Sequence, residues 1–156
     1  MLKIINTLGP FFEDCYRLIS VREYARLIKV SPPTASKILK GFAKEGYLLL
    51  QEDRGHLFFR LSQESEEAVD LCRLYWKQKL SKLVTELKMR LTGASAILFG
   101  SLVKAEAKRD SDIDILIIAP EKKELRLDGL QKIGGKEISL HWCRSLREIK
   151  NEHLLN

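Results

Sequence analysis

Ala96-Ile97-Leu98-Phe99-Gly100-Ser101, a gap of ten residues, and then Asp112-Ile113-Asp114-Ile115-Leu116-Ile117-Ile118 is the stretch that organises the rest of the chain. Its pattern predicts a strand, a tight turn, a short helix and a second strand. An apolar run entering Gly100-Ser101 puts a flexible backbone and a hydroxyl at the mouth of that helix, where unpaired N–H groups and the helix dipole attract phosphate. Gly100 and Ser101 are therefore candidates to hold a triphosphate. Side chains alternate along a strand, so Asp112 and Asp114 project from one face. Two carboxylates so placed suit magnesium, a hard ion usually held by one or two protein carboxylates together with substrate phosphates. The same aspartates also imitate a calcium-binding loop, with Asp110, Asp112, Asp114 and Glu121 at its ligand positions. That match fails, because Ile115 stands where the loop needs a glycine and begins an aliphatic run suited to a buried strand.

Gly100-Ser101, ten residues and Asp112-x-Asp114 together resemble the motif of the minimal nucleotidyltransferases of the DNA polymerase beta superfamily. The similarity extends to Lys104, to Ser111 ahead of the first aspartate, and to the apolar strands on either side. It implies a small α/β (α+β) nucleotidyltransferase fold with a mixed sheet. It also implies Asp112 and Asp114 as catalytic magnesium ligands, Gly100, Ser101 and Lys104 at the nucleotide, and a nucleoside triphosphate, ATP first among them, as substrate. Two positions depart from the family pattern. Ala105 replaces a usual glycine, and no aspartate stands on the later strand that normally supplies a third carboxylate. On the best candidate for that strand, Lys136-Glu137-Ile138-Ser139-Leu140-His141-Trp142, the family's aspartate falls nearest Ser139 or Glu137, and Glu137 is the catalytic candidate. Some members of the superfamily are antitoxins that modify or bind a toxin, so the resemblance also implies a toxin-like partner protein as one alternative.

The chain has 156 residues, near one ordinary domain or two small ones, and its pattern favours two. With 45% hydrophobic and 31% charged residues the composition is globular rather than disordered. No apolar run reaches the length of a membrane span, and the N-terminus lacks the apolar stretch and cleavage site of a signal peptide, so a cytoplasmic protein is expected. Cys15, Cys72 and Cys143 are odd in number and far apart in sequence, which points to reduced buried thiols rather than a disulfide or zinc site. Of the net charge of +6, the part through Leu61 carries +4, from ten Lys or Arg against six Asp or Glu. That excess fits a polyanion partner or a solvated surface equally well, and placement decides between them.

Lys3 to Leu8 and Phe11 to Ile19 repeat at helical spacing and are expected to be broken by Gly9-Pro10. Ser20-Val21-Arg22-Glu23 is a capping box opening a helix that ends near Val30. Ser31-Pro32-Pro33 opens another, from about Pro33 to Lys44, stopped by Gly46. On this second helix Ala35, Ile38, Leu39 and Phe42 form the buried stripe, while Thr34, Ser36, Lys37, Lys40 and Lys44 face outward. That basic, hydroxylic face suits phosphates and base edges in a major groove. Tyr47–Glu52, a turn at Asp53–His56 and Leu57–Leu61 read as a hairpin. Helix-turn-helix plus hairpin is similar to a winged helix over 1–61, with Arg54 at the wing tip as a further DNA contact.

From Ser62 as N-cap, with Glu64, Glu66 and Glu67 in the first turn, one long helix is expected to 92. Its stripe of Val69, Cys72, Trp76, Leu80, Leu83, Leu87 and Leu91 joins the first part to a nucleotidyltransferase-like part over 93–156. Leu71, Tyr75 and Trp76 form a second apolar patch that fits either internal packing or a homodimer. Pro120 to Leu130 reads as a charged helix or loop, a terminal helix is expected from Ser145, and His141 and His153 read as a strand residue and a surface residue. Two function classes remain: a magnesium-dependent nucleotidyltransferase acting on a macromolecular acceptor, and a DNA-binding transcription regulator or antitoxin that binds nucleotide or a partner protein without turnover.

Overall fold

A computed structural model of the chain describes residues 2–91, 93–121 and 132–145. The charged segment after Pro120 falls largely, and the terminal helix expected from Ser145 almost wholly, outside the described residues, as does His153.

The first helix, α1 (Leu2–Glu13), is continuous through Pro10 rather than broken at Gly9-Pro10. Packing outweighs the hydrogen bond lost at the proline, since Leu8, Phe11 and Phe12 are fully buried on its inner face. Gly9 lies where α1 meets a later helix; a Cβ there would come within 3.1 Å of the Tyr75 ring. The expected helix through Ile19 ends at Glu13 instead, and Ile19–Ser20 forms a two-residue strand, β1.

Ser20 also caps α2 (Val21–Leu27), accepting the Glu23 N–H at 3.3 Å. Ser31 caps α3 (Pro32–Lys44), whose first turn holds the prolines and whose buried residues are Ala35 and Leu39. Strands β2 (Leu48–Asp53) and β3 (His56–Leu61) pair from Leu48 opposite Leu61 to Asp53 opposite His56. The two-residue turn between them has φ of 47° at Arg54 and 74° at Gly55, the positive pair that matches the twist of a tight hairpin. β1 joins the other edge of β3, giving the order β1-β3-β2.

The expected single long helix is two. Ser65, not Ser62, caps α4 (Glu66–Lys79), and α5 (Ser81–Arg90) follows after Leu80, whose φ of −89° and ψ of 2° leave the helical region. The buried stripe survives the interruption, because the Leu80 N–H donates to Trp76 and the Val84 N–H donates to Leu80. Cys72, Trp76, Leu80, Leu83, Leu87 and Leu91 are all buried. Of the apolar patch that fits either internal packing or a homodimer, Trp76 is fully buried, Leu71 is half-buried, and Tyr75, half-buried, packs on Phe12 with its hydroxyl 2.6 Å from Glu13.

The second sheet runs β4 (Ser95–Phe99), β5 (Ile113–Ile118), β7 (Lys136–Cys143), β6 (Lys132–Ile133) in spatial order. β5 is antiparallel to β4 and parallel to β7, so the sheet is mixed. Ile113, Ile115 and Ile117 point to one face and are buried with residues of α1, α4 and α5 in one continuous apolar cluster. Across this junction the Cys15 N–H donates to the Ala107 carbonyl at 2.7 Å and Arg73 Nε donates to the Val103 carbonyl at 2.8 Å. No helix of the described residues is long and apolar enough to cross a membrane.

Candidate active site

Pleating sends Asp114 to the face of β5 opposite its buried isoleucines, and Asp112 is exposed just ahead of the strand. Phe99 is the cross-strand partner of Asp114, so the residue that ends β4 delivers the chain into the Gly-Ser turn beside that carboxylate. Gly100 has φ of +79°, and a Cβ built on it would lie 2.7 Å from Asp114 Oδ2. Glycine is thus required twice, for the left-handed backbone and for the closeness of the carboxylate. The two halves of the motif, ten residues apart in sequence, are in contact here.

The turn is not the short α-helix expected. Gly100–Leu102 is a single 3₁₀ turn, and the Ser101 carbonyl accepts the Glu106 N–H at 2.9 Å. Without a helix of any length there is no macrodipole to add, and the turn offers only its own N–H groups and the Ser101 hydroxyl. Lys104, half-buried, leaves this turn. Ala105, where the family pattern has glycine, is fully buried with φ of 54°, and its carbonyl accepts from Gln63 Nε2 at 2.8 Å.

The approach to Asp112 is fixed from two sides. Ser111 Oγ accepts the Lys108 N–H at 2.9 Å, closing a turn directly before the aspartate. Lys136, only 3% exposed, donates its ammonium to the carbonyls of Lys108 and Arg109. Burial holds the Lys136 ammonium below the usual lysine range, against the opposing pull of Asp14, Cys15, Glu13 and Asp110. Nothing in the sequence marked this lysine, which sits in an ordinary alternating strand.

β7 carries the expected third-carboxylate position. The parallel register sets Ser139 opposite Asp114 and Ile138 opposite Ile113, which leaves Glu137 one step further toward the strand's start. The Glu137 carboxylate is instead bonded at 2.9 Å to Lys132 on β6. That hydrogen bond, with the charge of Lys132, holds the glutamate below and the lysine above its ordinary range. His141, read from sequence as a plain strand residue, shares the site: its Nε2 is 3.4 Å from Asp114 Oδ1 and 3.4 Å from Ser139 Oγ, with its ring edge-on to Phe99. Its signal was present in the period of two, since 137, 139 and 141 occupy one face.

The structure therefore brings Gly100, Asp114, Ser139 and His141 together and ties Glu137 elsewhere. Among the described residues no group of three His, Cys, Asp or Glu is arranged to hold a metal ion. Asp112 and Asp114 remain the candidate carboxylates, of the oxygen-ligand kind that magnesium takes together with phosphate and water. The DNA-contact candidates lie apart on α3 and the hairpin: Thr34, Lys37, Lys40 and Lys44 are exposed, Ser36 is half-buried, and Arg54 is exposed at the β2–β3 turn.

The mixed sheet, with a Gly-Ser turn packed on the aspartate of an adjoining strand, is consistent with a nucleotidyltransferase fold. Residues 80–154 match the family model of the nucleotidyltransferase domain. The match begins at Leu80, just ahead of α5, and takes in the Gly-Ser turn, both aspartates and β7. Neither a curated protein nor a solved structure matches the chain.

Proposed function

We propose that the chain transfers a nucleotidyl group from a nucleoside triphosphate, ATP first among them, to a macromolecular acceptor, with magnesium at Asp112 and Asp114. The observation that carries this reading is the contact of Gly100 with Asp114, which leaves no room for a side chain between the phosphate-binding turn and the metal-binding carboxylate. The N–H groups of the turn and the Ser101 hydroxyl orient the phosphates, and Lys104 adds positive charge to the same turn. Magnesium, when bound, supplies positive charge to phosphate oxygens. The acceptor hydroxyl attacks the α-phosphorus in line; a new P–O bond forms as the bond to pyrophosphate breaks and pyrophosphate leaves.

The reading assigns residues 1–61 to a winged helix that binds duplex DNA, 62–92 to the linking helices and 93–156 to the transfer domain. The element order α1-β1-α2-α3-β2-β3, the three-stranded sheet and the exposed lysines of α3 support the winged-helix part. Transfer of label from radioactive ATP, and from the other nucleotides, in the presence of magnesium and co-purifying macromolecules tests the proposal. Label should pass to an acceptor and should not do so in a variant carrying Asp112→Asn with Asp114→Asn.

A second reading is favoured by one observation, the serine at the register position opposite Asp114. Without a third carboxylate there, the domain would bind nucleotide or a toxin-like partner without turnover, and the protein would act as a DNA-binding regulator or antitoxin. Magnesium-dependent binding of triphosphate with no label transfer selects this second reading.

A further inference from the structure

Beyond the single turn at Gly100–Leu102, the segment that leads from Gly100-Ser101 to Asp112 contains no helix or strand. Its backbone carbonyls therefore depend on donors from elsewhere. Arg73 Nε, on α4, donates to the Val103 carbonyl at 2.8 Å, and Gln63 Nε2, between β3 and α4, donates to the Ala105 carbonyl at 2.8 Å. The Cys15 N–H, just beyond α1, donates to the Ala107 carbonyl at 2.7 Å. Lys136 takes the carbonyls of Lys108 and Arg109. The side chains of Leu102, Ala105 and Ala107 are fully buried beneath these bonds. From 103 to 107 every second carbonyl is thus held by a donor from the first part of the chain.

We infer that Gln63 and Arg73 are positioning residues of the proposed transfer site: from outside the nucleotidyltransferase domain, they hold the segment that sets the Gly-Ser turn against Asp112. The inference rests on the functional reading given above for that site. Both residues precede 80–154, the span matched by the family model.

The two contacts act where the segment is most constrained. Ala105 has a left-handed backbone, with φ of 54°, which strains any residue that carries a Cβ. Burial of its methyl group and the bond from Gln63 to its carbonyl offset that strain. The next residue, Glu106, donates its N–H back to the Ser101 carbonyl at 2.9 Å, so a displacement of Ala105 is passed to the turn. Arg73 is exposed, and its Nη1 is bonded to Asp70 at 2.8 Å, which leaves Nε directed at Val103, two residues beyond Ser101. At the far end the Ser111 N–H donates to the Lys108 carbonyl at 3.1 Å, which carries the same restraint to the residue before Asp112.

The test uses the intact chain carrying Gln63→Leu or Arg73→Met, each of which keeps much of the side chain and removes the donor. Calorimetry reads magnesium-dependent ATP binding, and hydrogen exchange with mass spectrometry reads peptides covering 99–112. Each substitution should weaken ATP binding about three- to tenfold, the equilibrium worth of one net hydrogen bond, and should speed exchange of the segment by a similar factor. Asp70→Asn is the control. It removes the ionic partner of Nη1 but leaves the bond to Val103, so affinity and exchange should stay at the parent values. Exchange at the parent rate in both variants overturns the inference whatever happens to ATP. Faster exchange with unchanged affinity, in a parent that binds ATP, also overturns it. So does an Asp70→Asn variant that loses as much affinity as Arg73→Met, because a general effect on α4 would then explain the loss. A parent that binds no ATP overturns the transfer reading instead, and exchange alone then decides whether Gln63 and Arg73 hold the segment.

Discussion

Replacing Gly100 by alanine isolates the contact on which the proposed transfer site rests, and a second glycine supplies the control. Gly135, in the β6–β7 turn, has the same φ of +79° as Gly100, but a Cβ there meets nothing within 4 Å. Both substitutions pay the left-handed cost of an L-residue, about 1–2 kcal/mol. Both recover roughly 0.4–1 kcal/mol from reduced freedom of the unfolded chain. These contributions cancel in the difference. Gly100→Ala alone must also move the Asp114 carboxylate, since 2.7 Å is far inside van der Waals contact. Forcing a side chain off its rotamer costs about 0.5–1.5 kcal/mol. At about 2–4 °C per kcal/mol for a chain of this size, Gly100→Ala should melt a few degrees below Gly135→Ala. Calorimetry should show that Gly135→Ala keeps magnesium-dependent triphosphate binding and that Gly100→Ala loses most of it. Equal melting temperatures with equal nucleotide affinity would show that the turn and Asp114 do not form one site.

Three further outcomes follow from the geometry. Lys37, Lys40 and Lys44 are exposed on α3, so changing all three to alanine should weaken duplex DNA binding and flatten its salt dependence, by about 0.9 in log–log slope per lost phosphate contact. Fluorescence anisotropy across a salt series reads this, and an unchanged slope removes α3 as the recognition element. Ser139→Asp sets a carboxylate opposite Asp114; it should tighten magnesium-dependent triphosphate binding and raise label transfer, while cross-strand repulsion lowers the metal-free melting temperature. A lower melting temperature with no gain in metal affinity would refute it. Burial alone would raise Glu13, but hydrogen bonds from Lys79 and Tyr75 prevail and hold its carboxyl below the ordinary 4.5. A depressed folded value contributes stability that is present above the unfolded value and lost as pH falls through the folded one. Melting temperature should therefore drop more steeply below about pH 4.5 in the parent than in Glu13→Gln, and parallel curves would exclude this contribution.

Where the sequence was legible, local chemistry and tertiary packing asked for the same thing. Ser20 and Ser31 cap the helices they were expected to cap, Arg54-Gly55 makes the tight turn between two apolar runs, and Ile113 to Ile118 is a strand because nothing else buries that run. It was illegible where packing overrode a local signal or supplied one of its own. Pro10 stays within α1 because the buried faces of Leu8, Phe11 and Phe12 hold the helix on both sides of it. The interruption at Leu80 carries no glycine or proline to announce it. The third-carboxylate position shows the limit most clearly. A period of two assigns Glu137, Ser139 and His141 to one face from sequence alone, but a slip of two residues along β7 preserves that face while changing which residue stands opposite Asp114. Only the parallel register resolves the row, and it sets Ser139 there, with His141 reaching in from the next position and Glu137 turned to Lys132. That register crosses the long connection between two parallel strands, where local sequence has no influence. Ser139→Asp tests that choice directly, because a carboxylate can complete the site only in the row that faces Asp114.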